Sequence, residues 1–148
     1  MDDAAFWELI TLLDWTHTGV DDRVVRPVVD ALAKRSLEEI HQFQELLARK
    51  LYALDGRKWA RESGSQIWWG EPASLSADSF LYARCVVVAN GRPFYDSVLA
   101  DPAKMPKNME FEALLDMARK AEERQLGASP GVDTEVSYET FSNRSGWA

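Results

Sequence analysis

The stretch Ser76-Ala77-Asp78-Ser79-Phe80-Leu81-Tyr82-Ala83-Arg84-Cys85-Val86-Val87-Val88-Ala89-Asn90-Gly91 decides the fold. Ser76 to Ser79 supply caps for a helix start, Asn90-Gly91 supplies its stop, and the run between them is apolar on nearly every side. A helix of that kind belongs at the centre of a helical domain. It carries one guanidinium, Arg84, and burying that group unpaired costs several kcal/mol or more. Arg84 is therefore expected either to snorkel to water or to meet an acidic partner inside.

Helical patterns continue on both sides. Asp2 or Asp3 can cap a first helix with Phe6, Leu9, Ile10 and Leu13 at helical spacing, ended by Thr16 to Gly19. Val24, Val25, Val28, Val29 and Leu32 form a second stripe, in which Pro27 predicts a late start or a kink. Ser36-Leu37-Glu38-Glu39 matches a capping box, and Leu37, Ile40, Phe43, Leu47, Leu51 and Leu54 then line one face of a helix over 36–54. Pro93 suits the first turn of a helix ending near Ala100, and Asp101-Pro102 marks a boundary. A further amphipathic helix is predicted from about Glu110 to Leu126, stopped by Gly127. The sum is an all-α, single-domain bundle of about five to seven helices over 1–148. Its tail from 128 to 148 has few helix signals but holds Val136, Tyr138, Phe141 and Trp147, so it is expected to dock as a partly irregular, non-helical segment.

The 148 residues suit one domain with a substantial core, and 46% apolar with 28% charged residues is the composition of an ordinary globular protein. Net charge is -7, with both ends of the chain acidic and the middle balanced. That lacks the electropositive footprint that phosphate contacts need, so direct nucleic-acid binding is disfavoured and a basic protein partner fits better. The N-terminal Met1-Asp2-Asp3 is acidic where a signal peptide is basic, and no uncharged run reaches membrane-spanning length. A cytoplasmic location without membrane contact is expected.

Catalytic signals are sparse. Cys85 is the only cysteine, which rules out an internal disulfide, and its Val86–Val88 surroundings predict core packing. His17 and His41 have no metal-ligand spacing, and His41 with Glu45 reads as a surface i, i+4 pair. Phosphate-binding glycine loops and nucleophile elbows are absent, so no catalytic residue, metal or cofactor is assigned. Two constellations stand out. Arg84, with Asp78 and Tyr82 on a neighbouring face, reads as a structural ion pair or as a clamp for an anionic group. Trp68-Trp69, in a segment with Gly64, Gly70 and Pro72, reads as a core lid or an exposed aromatic anchor.

Phe6-Trp7-Glu8-Leu9-Ile10, Leu51-Tyr52-Ala53-Leu54-Asp55-Gly56, Asp78 to Cys85, Val98-Leu99-Ala100-Asp101-Pro102, Glu112-Ala113-Leu114-Leu115 and Ser137-Tyr138-Glu139-Thr140 together resemble the bacterial domain of unknown function numbered 4240. The resemblance implies one stand-alone domain and brings no activity or catalytic residue. Two functional readings follow from the residues. The first is a non-catalytic protein-interaction module, of an immunity or regulatory kind, that covers a basic partner with acidic helices. The second is a small-molecule-binding domain or enzyme with a pocket around Arg84, closed by Trp68 and Trp69. The oligomeric state is not legible.

Overall fold

The computed structural model describes residues 1–64 and 76–148. Among these the chain is all-α: α1 (Asp3–Ile10), α2 (Asp21–Ala33), α3 (Leu37–Ala53), α4 (Arg57–Ala60), α5 (Ala77–Ala89), α6 (Arg92–Ala100), α7 (Met117–Leu126) and α8 (Arg144–Trp147). Short 3-10 turns lie at Trp15–His17, Pro102–Lys104 and Glu112–Asp116. The residues group into two compact units, one of Met1–Leu47 with Ala113–Glu135, the other of Ala48–Glu112 with Val136–Ala148.

In the first unit the Asp2 carboxylate caps α1 by accepting the Ala5 N–H at 2.8 Å. Phe6 packs its ring 5.0 Å from that of Phe43, and Val24, Val28 and Leu32 of α2 are fully enclosed. Helix α2 packs against α7, which buries Met117, Ala118 and Ala121. Pro27 does not delay α2: the helix begins at Asp21 and carries the proline inside it. The capping box forms in half. Ser36 Oγ accepts the Glu39 N–H at 3.2 Å, but the Glu39 carboxylate turns to Arg35. The helix predicted from Glu110 begins instead as a 3-10 turn and becomes α-helical only at Met117. Gly127 ends it with φ 75, the left-handed value that favours glycine.

In the second unit α5 holds the central place its composition demands: from Phe80 to Ala89 every residue but Tyr82 is buried. Ser76 caps it by accepting the Ser79 N–H at 3.2 Å. Helix α6 packs on α5 and buries Tyr95 and Val98, while Trp59 of α4 donates its indole N–H to the Val98 carbonyl at 2.9 Å. The tail differs from its expected form in two respects. Its end carries a helical turn, α8, and its residues divide, with Val136–Ala148 in the second unit and the stretch before it in the first.

Candidate functional site

The last turn of α3 tightens as it ends, with the Leu51 and Tyr52 carbonyls accepting the Leu54 and Asp55 N–H groups at 3.2 and 3.0 Å and each keeping a second lone pair for another donor. Three successive carbonyls of this turn accept from side chains elsewhere in the second unit. Tyr95 donates its hydroxyl to the Lys50 carbonyl at 2.9 Å, Arg84 its Nη1 to that of Leu51 at 2.8 Å, and Asn143 its amide to that of Tyr52 at 3.0 Å. A guanidinium at this end also meets the negative pole of the helix dipole.

Arg84 is 0% exposed. Its Nη2 donates to Thr140 Oγ1 at 3.0 Å, and that hydroxyl donates in turn to the Ala77 carbonyl at 2.7 Å. The guanidinium carbon lies 4.8 Å from the centre of the Phe80 ring, and Nε has no partner among the described residues. Burial pulls the guanidinium below its ordinary range, and the charge of Asp55, followed by that of Glu139, opposes that shift. Arginine stays protonated under such pressure.

Asp55, equally enclosed, holds the tail. It accepts the Phe141 N–H at 3.2 Å, the Asn143 N–H at 2.9 Å and the Trp147 indole N–H at 2.8 Å. Phe141 sits at φ 78, unusual for a side chain of its size, and the bond to Asp55 helps hold it there. Trp147 packs edge-on to Phe80 with centroids 5.8 Å apart.

The other residues singled out from the sequence lie elsewhere. Asp78 is exposed, and Tyr82, half-buried, donates its hydroxyl to Glu112 at 3.1 Å. Burial, then the Glu112 carboxylate, pushes that phenol up to about 12. Neither Asp78 nor Tyr82 bonds to Arg84, whose partners are Leu51 and Thr140. Cys85 is fully enclosed and its thiol is pushed up to about 12 by burial. Trp68 and Trp69 lie outside the described residues.

Two groupings escaped the sequence reading. His41 bonds not to Glu45 but to Glu122, with Nε2 to Oε2 at 2.5 Å. Glu122 is buried, takes the Ser129 hydroxyl at 2.7 Å on its other oxygen, and is held below the usual glutamate range chiefly by the His41 bond. Glu45 instead accepts the Glu135 N–H at 2.8 Å. The second grouping is a concavity in the second unit lined by Arg57, Lys58 and Arg61 with Asn143 and Ser145. Its signal was in view as Gly56-Arg57-Lys58-Trp59-Ala60-Arg61, three cations in one short run. Among the described residues no cluster of His, Cys, Asp or Glu is placed to hold a metal ion, and no helix is long and apolar enough to cross a membrane.

Fold and site define an all-helical protein with a helix end capped from the side by three other segments. The chain belongs to the family described as protein of unknown function (DUF4240), whose model matches residues 1–124. No curated protein and no solved structure matches it significantly.

Proposed function

We propose that the protein is a non-catalytic binding module whose acidic first unit covers a basic protein partner. The observation that carries this reading is a segregation of charge. The first unit holds seven Lys and Arg against fifteen Asp and Glu, whereas the second holds ten against nine. The net charge of -7 is thus the property of one unit. Potentials of one sign spread over a unit steer and select partners of the other sign. Glu8, Asp21, Asp22, Asp30, Glu123 and Asp133 of this unit are all exposed. An immunity or regulatory role in a bacterial cytoplasm suits a module of this kind.

The alternative, a small-molecule pocket at Arg84, has less support. The guanidinium is enclosed and committed to the α3 carbonyl and to Thr140. The test is affinity capture from lysate of the native cell at low and moderate salt, run with the parent chain and with Glu8→Gln/Asp21→Asn/Asp133→Asn. A stoichiometric basic protein, lost with salt and weakened in the variant, supports the reading. Retention of a metabolite without protein, or a protein indifferent to both salt and variant, overturns it.

A further inference from the structure

We propose that the second unit carries a separate site for a phosphoryl anion, in the concavity formed where α4 meets the end of the tail. The cavity has a volume of about 440 Å³. Arg57, Lys58 and Arg61 line it together with Asn143, Ser145 and Ala148. In a chain with 24 acidic and 17 basic residues, a hollow with three cationic side chains in its lining stands out.

Two of the cations are held in place. Arg57 donates Nη2 to the Trp147 carbonyl at 2.9 Å, and that tryptophan is anchored to Asp55. Lys58 Nζ lies 4.6 Å from the centre of the Trp59 ring, which is itself fixed by its bond to the Val98 carbonyl. The tail wall is seated tightly: a Cβ on Gly146 would fall 2.3 Å from the Asp55 carbonyl oxygen. Ser145 and Asn143 are joined by a bond of 3.0 Å between hydroxyl and amide oxygen, which places neutral polar groups beside the charges.

A guanidinium fork, an ammonium and neutral donors around one space suit an anion with several oxygens and more than one charge. A phosphoryl group meets that description better than a single carboxylate, and the volume exceeds what free phosphate fills, leaving room for an organic portion. Inorganic phosphate and a phosphate monoester share this chemistry, and the experiment separates them. The site is independent of partner binding by the acidic unit, since no residue is common to both.

Calorimetric titration with inorganic phosphate and with glycerol phosphate, using glycerol as the neutral control, tests the assignment on the full chain. Saturable one-to-one binding of either anion is expected, the tighter one identifying the source, with no binding of glycerol. Lys58→Gln/Arg61→Gln should weaken it by about tenfold or more, read at a temperature where circular dichroism shows the variant fully folded. Arg92→Gln/Lys104→Gln removes the same charge outside the cavity and should leave it unchanged. Absence of saturation into the millimolar range, or equal weakening by both double variants, would overturn the proposal.

Discussion

Arg84 and Asp55 are both fully enclosed in the second unit, yet each makes its hydrogen bonds to other groups: the guanidinium to the Leu51 carbonyl and Thr140, the carboxylate to two tail N–H groups and the Trp147 indole. Their attraction acts through space as the largest opposition to the downward shift of Arg84. The buried charge therefore serves to fasten the tail to the end of α3. A buried charge whose partner is deleted is strongly destabilising, whereas a matched apolar replacement often is not.

Arg84→Ala should lower the unfolding free energy by about 3–5 kcal/mol, because it takes a buried charge from beside Asp55, strips Thr140 and the Leu51 carbonyl of its N–H groups and opens a cavity beside Phe80. Arg84→Met fills the space and should lose less. Urea unfolding of both variants checks this, and a near-neutral Arg84→Ala would show that the guanidinium is dispensable to the fold.

Gly146→Ala and Gly127→Ala separate a steric requirement from a torsional one. At Gly146 the added carbon would meet the Asp55 backbone at 2.3 Å, so the tail must lift, at about 1–3 kcal/mol. At Gly127 nothing lies within 4 Å, and only the positive φ opposes alanine, at about 1 kcal/mol. Hydrogen exchange should show faster exchange at Phe141 and Asn143 in the first variant alone; unchanged protection there would mean the tail is not seated as described.

Glu122 makes the first unit sensitive to acid. Its folded carboxyl lies below the ordinary value of 4.5, chiefly through the His41 bond. In acid the unfolded chain takes up this proton before the folded one, so stability rises with pH in that window. The contribution is complete above the ordinary glutamate range and is lost as pH falls through the lowered value. His41→Gln should flatten the dependence of stability on pH below the ordinary glutamate value of 4.5. A slope identical to that of the parent would assign the acid response to other carboxylates.

Tyr82 works in the opposite direction at alkaline pH. Its phenol is raised from 10.0 to about 12, so the folded chain keeps a proton that the unfolded chain releases. Stability should fall as pH rises through that interval, and Tyr82→Phe should remove this component. Absorbance titration of tyrosinate should show a late-ionising phenol that Tyr82→Phe removes, and its persistence in that variant would point to another phenol.

The helical class was legible because its signals are local. Ser36, Ser76, Asp2 and Gly127 mark ends that the structure keeps, and the stripe through Ile40, Phe43, Leu47, Leu51 and Leu54 is fully buried. The apolar run around Val86–Val88 correctly indicated a central helix. What escaped depends on long-range pairing. A capping box says nothing of Arg35 competing for Glu39, and the i, i+4 relation of His41 to Glu45 gives no hint of Glu122, 81 residues away. Arg84 was recognised as the residue needing explanation. Its actual partners, a backbone carbonyl and a tail hydroxyl, belong to no residue type that spacing rules could single out.

The tail carries a consequence for biosynthesis. Asp55 emerges from a ribosome long before Phe141, Asn143 and Trp147, the groups that satisfy it, and Arg84 likewise precedes Thr140. Until those residues are made, Asp55 lacks three of its hydrogen-bond donors and Arg84 lacks its Thr140 partner, so burying the two charges costs more than it does in the finished unit. Closure of that unit is thus timed by translation of its last segment.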